Sequence, residues 1–251
     1  MTTHLYIVTG SSRGVGEALV AELLRPEHTV LGLARHHNEV LEQMAARHSA
    51  HLTQWAVDLS SPALAAQRLG EWLARMDSSL VASATLINNA GVVSTPAPLG
   101  QGHLAELSNA VRVGLEAPLM LSAAFLHATD PWTAPRRVLN VSSGLGRRAM
   151  AGSAAYCAAK AGMDHFTRAM SLEQAARPHG ARVMSIAPGV IDTDMQRQLR
   201  DADATLFPER AMFARLHDEG QLLSPRACAQ KLLARLDRAD FGSDPIGDVR
   251  D

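Results

Sequence analysis

The stretch HLYIVTGSSRGVGEALVAELLR, residues 4–25, decides the fold. HLYIVTG (4–10) reads as an apolar strand ending at a glycine, and GEALVAELLR (16–25) as the helix that follows. Between them Gly10, Gly14 and Gly16 form a G-x-x-x-G-x-G turn, which permits a tight reversal and close packing of helix on strand. The same alternation continues outward. HTVLGLAR (28–35), LTQWAVDL (52–59), ATLINNAG (84–91), RRVLNVSS (136–143) and ARVMSIAPG (181–189) read as further strands, with helical patterns such as NEVLEQMAARH (38–48) between them. Continuous apolar strands separated by helices predict a parallel sheet covered on both faces. No repeat, charge block or low-complexity linker marks a boundary, so residues 1–251 are expected to form one doubly wound α/β domain. The segment 194–224 is too long for an ordinary connection and mixes charges with Met195, Phe207, Met212 and Phe213, which predicts a small helical lid.

Composition narrows the function. Hydrophobic residues make up 47% and charged residues 20% of the chain, as in globular proteins. Twenty-four Lys and Arg balance twenty-five Asp and Glu, which gives no reason to expect nucleic acid or an anionic membrane as partner. No apolar run approaches the roughly 18 residues of a membrane span. MTTHLYIVTG lacks a basic n-region, so a cytoplasmic protein is expected. Cys157 and Cys228 have no metal-ligand spacing; they read as buried thiols, with a disulfide as the alternative. None of the eleven histidines forms an H-x-x-x-H pair backed by carboxylates, so no metal site is expected.

The glycine turn also has a chemistry. A pyrophosphate can approach its backbone and meet free N–H groups at the positive end of the helix dipole. At the end of the second strand the sequence is LARHHNE, with Arg35 in place and no carboxylate before Glu39. An acidic residue there would hold a ribose 2′-OH. Arg35 and Arg13 instead suit a 2′-phosphate, favouring NADP(H) over NAD(H); the other reading is that both are solvated surface charges.

With TGSSRGVG (9–16), NNAG (88–91), NVSS (140–143), YCAAK (156–160) and PGVIDT (188–193) in this order, the chain resembles the classical short-chain dehydrogenase/reductases over essentially its whole length. AYCAAKAG, PGVIDTDMQ and GQLLSP are most similar to the branch of benzil and sepiapterin reductases. The resemblance implies a Rossmann fold with a seven-stranded parallel sheet, an NADPH cofactor, a small ketone or 1,2-diketone substrate, and a homodimer or homotetramer. It assigns catalysis to Ser143, Tyr156 and Lys160. Lys160 follows Tyr156 by four residues, on one helical face. The ammonium, with an oxidised nicotinamide, would favour phenolate and fit Tyr156 to protonate a forming alkoxide. Ser143 would bind the substrate oxygen, while Ala154, Ala155, Ala158 and Ala159 let the helix pack tightly. Cofactor contacts are implied for Gly10, Ser12, Arg13, Gly14, Val15 and Gly16, for Arg35, and for Asp58 and Leu59 beside adenine. They are implied also for Asn89, Ala90 and Gly91 near the ribose, and for Pro188, Gly189, Val190 and Thr193 around the nicotinamide carboxamide and phosphates. Cys157 reads as packing, Asp192 and Asp194 as loop or N-cap residues. Met and Phe of the lid, with Trp132 and Leu145, suggest an apolar substrate.

One departure stands out. Many family members carry an asparagine in a pattern like N-x-x-A-P, where this chain has VGLEAP (113–118) and Gly114. Glycine offers no side chain to a water relay reaching the lysine, and Asn109, five residues upstream, is expected on a different part of the helix. A second reading follows from this: a dinucleotide-binding regulatory or structural protein with weak catalysis.

Overall fold

Residues 2–251 are described by a computed structural model. The chain runs β1 (Thr3–Thr9), α1 (Gly14–Leu23), β2 (His28–Ala34), α2 (Glu39–His48), β3 (His51–Ala56), α3 (Pro62–Ala74) and β4 (Val81–Asn88). It continues through α4 (Leu104–Val111), α5 (Ala117–Ala128), β5 (Arg136–Val141), α6 (Ala154–Ala175), β6 (Arg182–Ala187), α7 (Asp194–Arg200), α8 (Arg210–Asp218), α9 (Pro225–Leu236) and β7 (Ile246–Asp248). All seven strands are parallel in the order β3-β2-β1-β4-β5-β6-β7. The order reverses between β1 and β4, which opens a crevice at the carboxyl ends of the strands.

Alternation along β1 distributes the core. Leu5 and Ile7 join Leu69, Leu73, Leu121 and Phe125 under α3 and α5, whereas Tyr6 and Val8 join Leu19, Val20, Leu232 and Leu236 under α1 and α9. No helix is long and apolar enough to cross a membrane among the described residues.

Several strands end two or three residues earlier than their apolar runs suggest. Val57–Leu59, Asn89–Gly91, Ser142–Ser143 and Pro188–Gly189 leave the ladder as loops. Glycine and proline end the pairing there, and the freed segments build the crevice. The seventh strand is three residues long and beside Ser185–Ala187, too short to show an alternation in the sequence.

The lid is pinched at its base. Ile191 bridges Leu223 in parallel, with Asp192 N–H donating to Leu223 at 2.9 Å and Leu223 N–H to Val190 at 2.9 Å. Beyond this neck α7 and α8 enclose Phe207 and Phe213, whose rings stack with centroids 5.8 Å apart against Met150 and Leu199. Phe207 and Phe213 are therefore the lid's own core, with Met212, Leu145 and Cys157 packed around it. Trp132 is also not a substrate contact: it is buried in the α3–α5 core and precedes β5, at the amino edge of the sheet, away from the crevice.

The glycine turn is packed without slack. A Cβ on Gly16 would run into the Gly10 carbonyl and the Asn89 amide, whereas one on Gly70, in α3, would meet only Ala124 Cβ at 3.9 Å. Gly16→Ala is expected to lower stability by about 2–4 kcal/mol. Gly70→Ala is expected to raise it by up to about 1 kcal/mol, both read from urea unfolding.

Candidate active site

The crevice at the carboxyl edge holds a cleft of about 570 Å³, the size of a cofactor or ligand site. Gly10, with φ of +68°, turns the chain out of β1, and Ser12, Arg13, Gly14 and Val15 carry it along the cleft into α1. Gly16 lies behind this wall and works through packing. Opposite, the Asn89 and Ala90 N–H groups both donate to Thr9 Oγ1 at 2.9 Å, and Asn89 Nδ2 donates to Thr9 O at 2.9 Å. These bonds lock the end of β4 to the end of β1, and Asn89, Ala90 and Gly91 line the gap.

At one end of the cleft lie Arg35, Asp58 and Leu59. Arg35 is exposed and forms no ion pair among the described residues. The Ser60 N–H, and more weakly Arg35, hold the Asp58 carboxyl below its ordinary value. Arg13 is not free: its guanidinium pairs with Asp194 at the start of α7, 2.9 Å away. Asp194 also accepts from Arg197 at 3.0 Å, so it is a hinge between glycine turn and lid rather than a simple cap. Pro188 and Thr193 line the cleft with Ile191, whereas Gly189, with φ of +81°, and the exposed Val190 lie just outside it in the neck.

The other end is built by α6. Ala155 and Ala159 face inward while Ala154 and Ala158 are exposed, so only half of the predicted small neighbours serve packing within the chain. Tyr156, half-buried, and Lys160, 3% exposed, both reach the cleft. Lys160 Nζ lies 5.8 Å from the Tyr156 ring centroid and donates to the Val141 carbonyl at 2.7 Å. Burial lowers the Lys160 ammonium to about 8, opposed by the Asp164 carboxylate. Burial pushes the Tyr156 phenol above its ordinary value, and a hydrogen bond with the Ser143 hydroxyl pulls it part of the way back. The ammonium alone therefore does not make the phenol acidic, contrary to the expectation from spacing, because the cost of burying the phenolate outweighs it.

Ser143, partly exposed, hydrogen-bonds with Tyr156 and adjoins the lining residue Ser142 without itself lining the cleft, and its Oγ accepts the Leu145 N–H at 3.2 Å. Ser142, which sequence reading passed over, has a buried hydroxyl with no partner among the described residues. Asn109 and Val113, one helical turn apart, also line the cleft. Gly114 is not among the lining residues, so Asn109 reaches the cleft from a different position on the helix than Gly114. Gly114 falls in a π-helical turn, Arg112–Glu116, where a Cβ would come within 3.1 Å of Ala159 Cβ. Pro118, four residues on, has no N–H to give to the Gly114 carbonyl. Cys157 and Cys228 are free thiols; the buried Cys228 is pushed up to about 12 by desolvation and faces the Pro188 carbonyl.

Comparison with known proteins agrees with this geometry. A family profile described as short chain dehydrogenase matches residues 4–204. Benzil reductase ((S)-benzoin forming) of Bacillus cereus is 32% identical over 97% of this chain and 96% of its own length. Sepiapterin reductase of Rattus norvegicus is 30% identical, covering 94% of this chain and 92% of the relative. A metagenomic short-chain oxidoreductase solved in complex with NADP is 25% identical, with a TM-score of 0.71 over 98% of this chain and 95% of that one.

The buried lysine has a measurable signature. Its pKa is about 8 folded and 10.5 unfolded, so between these values the unfolded chain binds the extra proton and stability rises with pH. Wild type is expected to gain on the order of 3 kcal/mol across that window relative to Lys160→Met. Urea unfolding of both proteins at pH 7.5 to 10.5 checks it; parallel curves would contradict the assignment.

Proposed function

Because the chain belongs to the short-chain dehydrogenase/reductase family, an oxidoreductase family using nicotinamide dinucleotides, we propose that it is an NADPH-dependent reductase of an apolar ketone or 1,2-diketone. The observation that carries this reading is the convergence of Tyr156 and Lys160 on the cleft that the glycine turn also borders. The cleft fits the cofactor on its own terms: Ser12, Arg13, Gly14 and Val15, which lead into and open α1, line it, and so does Ser142, whose buried hydroxyl has no partner among the described residues. Gly10, Ser12, Gly14 and Val15 would cradle the pyrophosphate, Asp58 and Leu59 the adenine, Asn89 to Gly91 the ribose, and Pro188 and Thr193 the carboxamide end. Arg35, unpaired, would take the 2′-phosphate, with Arg13 shared between that group and Asp194.

When bound, the cofactor supplies the hydride for the carbonyl carbon. The chain's own groups manage the oxygen. Ser143 Oγ accepts the Leu145 N–H, so its proton is free to turn from the Tyr156 oxygen to the substrate carbonyl when substrate sits between them. Tyr156, held protonated by burial, gives its proton to that oxygen as negative charge develops. Lys160 stabilises the phenolate left behind. Met195 and Val93 give the open side of the cleft an apolar wall suited to an aromatic substrate. Benzil-type diketones are the first class to test, as the Bacillus relative's name indicates. Leu119 on α5 and Leu172 on α6, 46% and 76% exposed, offer apolar surface for self-association as a homodimer or homotetramer. The two free thiols suit a reducing cytoplasm.

Purified protein is expected to oxidise NADPH with benzil-like diketones. Tyr156→Phe should cost at least about 10²-fold in kcat while NADPH binding persists. Arg35→Asp should weaken NADPH about tenfold or more with little change for NADH, by calorimetry. Reductive kcat/KM should fall above pH about 8 as Lys160 loses its proton. Absence of turnover across a broad carbonyl panel would overturn the proposal.

A further inference from the structure

Asp164 lies one turn beyond Lys160 on α6, only 5% exposed and outside the cleft lining. Its two oxygens serve different elements. Oδ1 accepts the hydroxyl of Ser185, on β6, at 2.6 Å. Oδ2 accepts from Arg147 Nε at 3.3 Å. Arg147 ends the short turn that leads out of Ser143, and its Nη2 also donates to Gly247 O on β7 at 2.7 Å. Within that turn Gly146 sits so close to α6 that a Cβ would approach Lys160 O to 2.9 Å and Asp164 Oδ2 to 3.0 Å. One carboxylate thus gathers α6, β6, the β7 strand and the serine turn.

A buried carboxylate is costly unless its charge is used, and apolar packing would hold these elements together as well. The groups facing the Lys160 ammonium explain the choice. On α6 these are Tyr156, Asp164 and the Met163 sulfur at 3.9 Å, and from β5 the Val141 carbonyl at 2.7 Å; Arg147, from the turn after β5, bears on the ammonium only through its pairing with Asp164. Asp164 is the one acid acting on the ammonium.

We infer that Asp164 is a positioning residue for the catalytic pair: with Arg147 and Ser185 it clamps the Ser143 turn onto the α6 turn that carries Lys160, and it sets its charge against that ammonium. The inference rests on the roles proposed above for Ser143 and Lys160. Removing the carboxylate's charge makes Lys160 lose its proton more easily, whereas removing the Arg147 cation makes it hold the proton more firmly.

The chain contains only two lysines, Lys160 and the exposed Lys231, so ε-labelled lysine gives two resonances, one of them an internal reference. In the cofactor-free protein, Asp164→Asn is expected to lower the Lys160 midpoint by about one pH unit, and Arg147→Gln to raise it by several tenths. Lys231 should stay fixed in both. In NADPH-dependent diketone reduction, Asp164→Asn should lose about tenfold in kcat, with NADPH affinity held within about twofold and partial rescue by Asp164→Glu. A Lys160 midpoint unmoved by either substitution would overturn the inference, as would two shifts in the same direction. If Asp164→Asn does not fold, Arg147→Gln alone decides by the sign of its shift. Opposite shifts in a protein that turns over no carbonyl would sustain the charge coupling and remove the proposed function; turnover with unmoved midpoints would do the reverse.

Discussion

The Lys160 ammonium donates to the Val141 carbonyl at 2.7 Å from a position 3% exposed, and this bond pins α6 to the carboxyl end of β5. Ser142 and Ser143 are the next two residues along that strand, and Tyr156 is one turn back along that helix. Strand and helix therefore meet in one register, in which phenol and ammonium share a corner of the cleft and the Ser143 hydroxyl bonds to the phenol. The carbonyl dipole replaces part of the water that burial removes from the ammonium. The remainder of that loss leaves the amine near its titration point, close to the pH at which an acid–base group is useful.

The sheet supplies the other half of the site. Its order reverses between β1 and β4, so the glycine turn after β1 and the loop after β4 diverge around one crevice. Thr9 then ties the two loops together through the Asn89 and Ala90 backbone. From the opposite side the lid reaches across, and Arg13 with Asp194 joins it to the turn.

Much of this was legible before the structure. Period and composition expose six of the seven strands, the helices between them and the excursion after β6: β1, β2, β4, β5 and β6 bury largely apolar runs, and the edge strand β3 alternates instead. β7 was not, since three residues carry no period. The strands end sooner than their apolar residues do; after β4, for example, the loop packs Ala90 and Val92 against the core without joining the ladder. Burial destinations also escaped: Trp132 and Phe207 are equally apolar in sequence, and only the fold sends one to the amino edge and the other into the lid. Asn109 lies outside every motif, and Ser142, within NVSS, stands beside the serine to which the motif assigns the role. The Asp164–Arg147–Ser185 cluster joins residues up to 38 apart in sequence on three elements, which no local pattern reports.

The central claim is that Tyr156, held as a neutral phenol in the empty protein, becomes acidic when the cofactor's positive ring arrives beside it. The chain has two tyrosines, Tyr6 and Tyr156, both raised by burial, and Tyr6 sits on β1 away from the cleft as an internal reference. Ring-carbon-labelled tyrosine, titrated without and with saturating NADP⁺, tests this directly. The account predicts that Tyr156 starts above the ordinary phenol value and that its midpoint falls on binding, with Tyr6 unmoved. A Tyr156 that binds no less tightly to its proton with NADP⁺ in place would contradict it.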